Sequence, residues 1–392
     1  MSGPTTPGAA AEVLARLHGV PTGGAAAQPD ERSVPGFSPD YPTRPGEILQ
    51  VELDARGLTQ AELASRTNLS AKHVNQVIKG GAALSPDMAL RLERALGIPS
   101  YIWNALEANY QDRLTRARAR ENLMGYEGWL HRFPLRELIT REVITKGDDD
   151  LTRIEKLLNF FEVADPDAYD RVWAEPVAAG FRRAQHADVD SYATAVWLKL
   201  GERLAKATDC SPYDNQGFAQ LLHALPKLTL NADDQQALTD LRRECAAVGV
   251  AVEFVAEMKG CRASGAARWL SPTKAMILLS GRYRYHDSFW FAFFHEAAHL
   301  LLHPKRKMVV DLESDGDDAD GQESAANDYA ASILVPAPYT KRLTDHTTPD
   351  EAVQIAKEIG IHPGIIAGRL GYLYHHWPRY ARLRRRLEIS AT

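Results

Sequence analysis

Apolar positions recur at helical spacing through most of this chain and give way to short β-like runs only past residue 249. From residue 44 to about 121 they form short helical segments, punctuated by Gly57, Gly80-Gly81 and Gly97-Ile98-Pro99. From about 122 to 234 the pattern stays helical, clearest at 151–161 and 192–204, and carries no obvious active-site chemistry. A helix at 237–248 then leads into β-like runs at 250–255 and 275–280, with a strand at 266–270 between them. Next comes a helix starting near Phe289, with Asp287 or Ser288 as its cap. Phe289, Trp290, Phe293, Phe294, Ala297, Leu300 and Leu301 cover most of its circumference, which predicts burial. A further helical segment opens at Glu323 and is stopped by Pro336. Residues 1–40, rich in Ala, Gly, Pro and Thr, predict a flexible arm with one short helix at 11–18.

Composition narrows the class. The 392 residues suffice for two or three domains with real cores, and the net charge of -5 gives no whole-chain bias toward nucleic acid. Any such binding must come from a local basic face. Cys210, Cys245 and Cys261 lie far apart and form no C-x-x-C, as expected of reduced, packed thiols. No apolar run reaches membrane-spanning length and no signal pattern opens the chain. The expectation is a cytoplasmic protein.

The buried helix carries the most informative residues, His295-Glu296-Ala297-Ala298-His299. Histidines four apart stand one turn above each other on one face, so two imidazoles can share one metal ion. Glu296 is then placed as general base toward a water activated by that metal. Polar groups in so apolar a helix need a compensating partner, and a metal supplies it. Zinc in a catalytic site takes three protein ligands and keeps one position open. His303 extends the same face, but three ligands stacked over two straight turns splay apart. The glycine and later histidine of a metzincin are absent, and the acidic run 311–320 reads as a solvated loop. Glu323 is the best third ligand: it shares a helical face with Asn327, and the 24 residues after His299 allow an exit, a loop and an antiparallel return. That is the gluzincin arrangement.

Here the chain resembles the ImmA/IrrE family of metallopeptidases. The resemblance is carried by residues 294–303 and by the E-x-x-A-N-x-(F/Y)-A-A-x-(I/L)-L-x-P segment 323–336, with Ser264-Gly265-Ala266-Ala267-Arg268-Trp269 upstream and 361–370 downstream. It implies His295, His299 and Glu323 as ligands of a Zn2+ ion, with Glu296 as base. Where many members carry a second glutamate, just before the Ala-Asn pair, this chain has Ala325. The oxyanion formed on a peptide carbonyl needs a second electrophile besides the metal, and His362 and Tyr329 are the candidates, each with a purely structural role as the alternative.

Residues 58–80 have helix-turn-helix form. Thr59 caps a first helix with Ala61, Leu63 and Ala64 inward; Asn68-Leu69-Ser70 makes the turn, and Ser70 caps a second helix with Val74, Val77 and Ile78 inward. Ala71, Lys72, His73, Asn75 and Gln76 are left on or near the outer face, where they suit base edges, while Thr59, Gln60 and Lys79 suit phosphates. The flanks, 44–49 and 85–97 with Trp103 and Asn109-Tyr110, resemble the XRE-type domain of HigA-like antitoxins. That resemblance implies a five-helix domain that dimerises on a palindromic operator.

The expectation is therefore a mainly α protein with a small β-sheet. It has a flexible arm at 1–40, an all-α helix-turn-helix domain at 41–121 and a helical connector at 122–234. An α+β gluzincin-like peptidase domain follows at 235–375, then a basic tail at 376–392, read as a solvated helix end or a phosphate- or acid-binding segment. Expected partners are a double-stranded DNA operator, a protein substrate or toxin, and a second copy of the chain, with no membrane. The functional expectation is a DNA-binding regulator whose zinc endopeptidase cleaves a repressor, an antitoxin or itself. The alternatives are an antitoxin or transcription factor with a metal domain that senses or stabilises without turnover.

Overall fold

The computed structural model describes residues 44–178, 190–282, 284–303, 309–311 and 321–389. The arm 1–40 with its short helix, and the acidic stretch from 312 to 320, lie outside the described residues. The chain divides into two compact units, Met1–Gly125 and Tyr126–Thr392, each with its own hydrophobic core.

Five helices follow one another in the described part of the first unit: α1 (Pro45–Arg56), α2 (Gln60–Thr67), α3 (Ala71–Ile78), α4 (Pro86–Leu96) and α5 (Ser100–Asn122). Short helices are marginal alone, so their ends and their packing decide them. Thr59 and Glu62 form a reciprocal capping box on α2, and the hydroxyls of Ser70 and Ser85 accept the backbone N–H groups of His73 and Met88 to start α3 and α4. Leu49, Leu53, Leu63, Val74, Leu92 and Trp103 are fully buried between the helices. Ala61 is exposed rather than inward, because the buried stripe of α2 runs through Leu63, Ala64 and Thr67.

The second unit is built on a four-stranded sheet of order β1-β3-β2-β4: β1 (Val250–Phe254), β2 (Gly265–Ser271), β3 (Lys274–Leu279) and β4 (Val309–Asp311). β1 runs parallel to β3, while β2 is antiparallel to both β3 and β4. Helix α6 (Asp150–Phe161) precedes α7 (Ser191–Ala207) and α8 (Asp234–Ala246); α9 (His286–Leu302), α10 (Gln322–Leu334), α11 (Pro349–Ile359) and α12 (Pro363–Tyr374) follow the first three strands. The alternation of side chains along the strands separates two faces. One is covered by α7, so closely that a Cβ at Gly201 would lie 2.4 Å from a Leu278 methyl. The other is covered by α9, whose Trp290, Phe293 and Phe294 are fully buried against β1, β2 and β3. No helix among the described residues is long and apolar enough to cross a membrane.

From Tyr126 onward, the stretch expected as a connector contributes directly to this unit. Trp197 Nε1 of α7 donates to the Val255 carbonyl at 2.8 Å, and Phe133 stacks edge-on with Tyr169 and Tyr192 at centroid distances of 5.2 and 4.7 Å. Helix α9 begins at His286, three residues before the expected start, and neither Asp287 nor Ser288 caps it. Asp287 instead lies buried in the first turn and pairs with Arg384 at 2.8 Å. Its partner belongs to the segment expected as a solvated basic tail. That segment packs into the unit: Tyr380 is buried with its hydroxyl on the Thr347 carbonyl, and Arg385 pairs with buried Asp234 at 2.7 Å. Strand β4 was not anticipated, since three residues are too few for alternation to register.

Candidate metal centre and nucleic-acid interface

His295 and His299 project from one face of α9, and Glu323 from the first turn of α10. The three converge. His295 Nε2 lies 2.9 Å from His299 Nε2 and 3.2 Å from Glu323 Oε2, and His299 Nε2 lies 3.5 Å from Glu323 Oε1. One donor atom from each lies within 4.8 Å of the others. Both histidines are buried, whereas Glu323 is partly exposed, which gives the cluster a solvent side. Burial alone would raise the Glu323 carboxyl, but hydrogen bonds from His295 and His299 outweigh it and hold the group well below the usual carboxylate range.

Two side chains fix the ligands. His295 Nδ1 lies 3.0 Å from Asn327 Oδ1; an amide oxygen only accepts, so this contact calls for a proton on Nδ1 and leaves Nε2 as the nitrogen that would face a cation. His303 Nε2 lies 3.1 Å from the Gln322 carbonyl, which pins the start of α10 to the end of α9. His303 thus braces the helix that brings Glu323, and it is not one of the three residues whose donor atoms converge. Two imidazoles and a carboxylate from two helices match the donor types of a catalytic zinc site, and their spacing suits a shared cation.

Glu296 is fully buried on α9, facing β2. A Cβ at position 265 would come within 2.5 Å of Glu296 Oε1 and 2.7 Å of its Cγ, so glycine there leaves room for the carboxylate. Neither Asn327 nor Gly265 was assigned a role from the sequence. The signal for Asn327 was its four-residue spacing from Glu323; the space at Gly265 depends on a contact between distant segments.

The two candidate electrophiles are not brought to the cluster. His362 is the N-cap of α12: its Nδ1 accepts the Gly364 N–H at 3.0 Å, and its ring stacks on His286 with centroids 5.0 Å apart. His286 lies nine residues before His295, roughly 13 Å along the helix axis. Burial is the main cause that lowers the pKa of His362, with the Arg385 charge adding to it. Tyr329 is six residues from Glu323 on α10, roughly 120° around the helix from it, and its ring packs on the hydrophobic core.

In the first unit, α2 and α3 present the residues expected to meet DNA. Ser70, Ala71, Lys72, Gln76 and Lys79 are exposed, and His73 and Asn75 are half-buried at the margin of that face. Thr59 is exposed too, but its hydroxyl is engaged with Glu62 in the capping box. Gln60 has a different part from the one expected. Its Oε1 accepts from Asn75 Nδ2 at 3.0 Å and its Nε2 donates to Gln50 Oε1 at 2.9 Å, while Gln50 Nε2 donates to Asp54. This relay joins α1, α2 and α3 and orients the Asn75 amide, whose Oδ1 and second N–H remain available to a base edge. Between Arg44 and Gly125 there are eleven Lys and Arg against nine Asp and Glu, so this stretch carries a slight positive balance within an acidic chain.

Comparison with known proteins finds two family matches: a helix-turn-helix family over residues 49–103, and the IrrE N-terminal-like domain of peptidase family M78 over residues 255–371. The HTH-type transcriptional regulator YddM of Escherichia coli K12 is 31% identical over 64 residues, 16% of this chain and 68% of that protein. Two solved structures are similar over 21% of this chain and 91% of their own, each with a TM-score of 0.20. One is an addiction module antidote protein of the HigA family from Coxiella burnetii, at 25% identity; the other is Pseudomonas aeruginosa antitoxin HigA with the higBA promoter, at 31%.

Proposed function

Because this chain belongs to the helix-turn-helix family of transcriptional regulators and carries an IrrE N-terminal-like peptidase domain, we propose that it is a DNA-binding regulator with a zinc-dependent endopeptidase activity. Its substrate is a regulatory protein, either a repressor or antitoxin or the chain itself. The observation that carries the reading is the convergence of His295, His299 and Glu323, with a fully buried glutamate, Glu296, next to the first of them in sequence: a purely structural metal site needs no base.

His295, His299 and Glu323 would hold the zinc, which supplies Lewis acidity toward water and the peptide carbonyl when bound. Glu296 takes the proton from the attacking water and delivers it to the departing amine nitrogen. Asn327 keeps the proton of His295 on Nδ1, and Gly265 keeps the Glu296 carboxylate clear of the β2 backbone. In the other unit, Lys79 meets phosphates, while Ala71, Lys72, His73, Asn75 and Gln76 face base edges at the start of the recognition helix. Two copies bind a palindromic operator with half-sites one helical turn apart.

The test compares the wild-type chain with Glu296→Gln. Both are expected to hold about one zinc and to bind the same DNA, with zinc lost in His295→Ala. Removal of a general base costs roughly 10²–10⁴-fold in rate, so proteome-wide mapping of new protein termini should find products only with the wild type. Equal cleavage by both proteins rejects the base assignment. DNA binding and zinc retention without any wild-type product would favour a regulator or antitoxin whose metal domain does not turn over.

A further inference from the structure

Three side-chain amides in the first unit form a line that ends at the margin of the outer face of α3. Gln50 Nε2 of α1 donates to Asp54 Oδ1 at 2.7 Å, and Gln60 Nε2 of α2 donates to Gln50 Oε1 at 2.9 Å. Asn75 Nδ2 of α3 donates to Gln60 Oε1 at 3.0 Å. Every bond runs the same way, from α3 toward α1. Gln50, Gln60 and Asn75 are each half-buried, whereas Asp54 is exposed.

The carboxylate at the end fixes that direction. An ionised carboxylate accepts and never donates, so Gln50 turns its NH2 group toward Asp54 and its oxygen toward Gln60. Gln60 can then offer only its own NH2 group to Gln50, which leaves its oxygen for Asn75. Asn75 in turn gives one N–H to Gln60 and keeps Oδ1 and the second N–H. Reversing any one amide alone would set two acceptors or two donors against each other. The group left at α3 is one donor beside one acceptor, the complement of the N7 and amino edge of adenine in the major groove. With the whole relay reversed, Asn75 would show two N–H donors, which match the N7 and O6 acceptors of guanine.

We propose that Asp54 acts through Gln50 and Gln60 as a positioning residue, fixing the Asn75 amide so that the domain selects adenine at the operator position Asn75 meets. The inference rests on the DNA-binding reading above. A residue of α1, separated from the reading amide by three hydrogen bonds, thereby decides which base is read.

Selection from a randomised duplex DNA library by the full chain tests the relay. One position of the enriched site should favour adenine by about tenfold and lose that preference in Asn75→Ala, as the loss of a bidentate pair requires. Asp54→Asn puts an amide there that accepts or donates, so the adenine preference should fall several-fold. Asp54→Lys puts a group there that only donates, and the same position should move to guanine. In a Gln50→Leu background Asp54→Lys should leave the base preference where it was, since the relay is cut. Asp54→Asn is nearly isosteric at an exposed position, so it keeps the test open if Asp54→Lys disturbs α1. An adenine preference unchanged in both Asp54 variants, or a change of equal size in the Gln50→Leu background, overturns the relay and leaves the DNA-binding reading standing. A base preference that survives Asn75→Ala at every position does the same. A wild-type chain that enriches no sequence overturns both.

Discussion

A fully buried carboxylate is held by what surrounds it, and at Glu296 the surroundings include the backbone of β2. A Cβ at Gly265 would lie within 2.5 Å of Glu296 Oε1, so Gly265→Ala must push the carboxylate, the strand or both. Displacements near 1 Å can cost about 10²-fold in rate. We expect Gly265→Ala to keep its zinc and its DNA affinity while cleavage falls at least tenfold; unchanged cleavage would show that the strand yields freely. A second titratable residue acts on stability. Burial, reinforced by the charges of Arg385 and His362, lowers the pKa of His286 to about 3, and its Nε2 accepts the Trp290 indole N–H at 3.0 Å. The unfolded chain binds a proton near pH 6.5 that the folded chain refuses until about pH 3. The stability from the neutral ring is thus complete above pH 6.5 and is lost as pH falls through that window. Urea unfolding of the wild type should weaken by a few kcal/mol, on the order of 1.4 per pH unit, between pH 6.5 and 4. His286→Gln should show a shallower slope there; an identical slope would assign the acid sensitivity elsewhere.

At the scale of elements, α9 is anchored at both ends by parts of the chain distant in sequence. At its C-terminal end His303 ties it to the Gln322 carbonyl of α10. At its N-terminal end the first turn has no side-chain cap, and the segment after the last helix takes over: the Arg385 carbonyl accepts the His286 N–H, Arg384 pairs with Asp287, and Arg385 pairs with Asp234 at the start of α8. Asp234 also accepts the Glu388 N–H at 2.9 Å, so this buried carboxylate ties the C-terminal segment to α8 at two points. Removing one partner of a buried pair leaves an uncompensated charge, at about 3–5 kcal/mol. Because Arg385 is itself partly exposed, we expect Arg385→Ala to cost nearer 2–3 kcal/mol by chemical denaturation, discounted for solvent screening. A loss below about 0.5 kcal/mol would mean that this segment only decorates the surface. The basic composition of 379–386 was legible in the sequence, but its buried partners were not: Asp287 and Asp234 lie about 100 and 150 residues away in sequence.

For the whole molecule, the separate cores of Met1–Gly125 and Tyr126–Thr392 place the candidate metal cluster and helix α3 in different compact units. A ligand that binds only the native state stabilises the body that holds it, by about 2.7 kcal/mol at a hundred times its dissociation constant. Calorimetry of the zinc-loaded chain should therefore show two transitions, and a chelator should lower the one belonging to the larger unit alone. A shift of both by equal amounts would mean that the two bodies unfold as one.

Sequence alone sufficed wherever the physics is local. Helical periodicity, the Thr59 and Ser70 caps and the four-residue histidine spacing depend on neighbours within a turn, so the two helices of the helix-turn-helix and a paired-imidazole helix were readable directly. The choice of Glu323 over His303 also followed from local geometry, and the structure brings Glu323 to the two histidines. Only the tertiary structure decided what stands beside each group. It removed His362 to the far end of α9 and turned Tyr329 away on its own helix. It gave Gln60 to an internal relay, drew 126–234 and the basic tail into the second unit, and set Gly265 under Glu296. Such juxtapositions come from the packing of segments up to about 150 residues apart, and no pattern of period two or 3.6 encodes them.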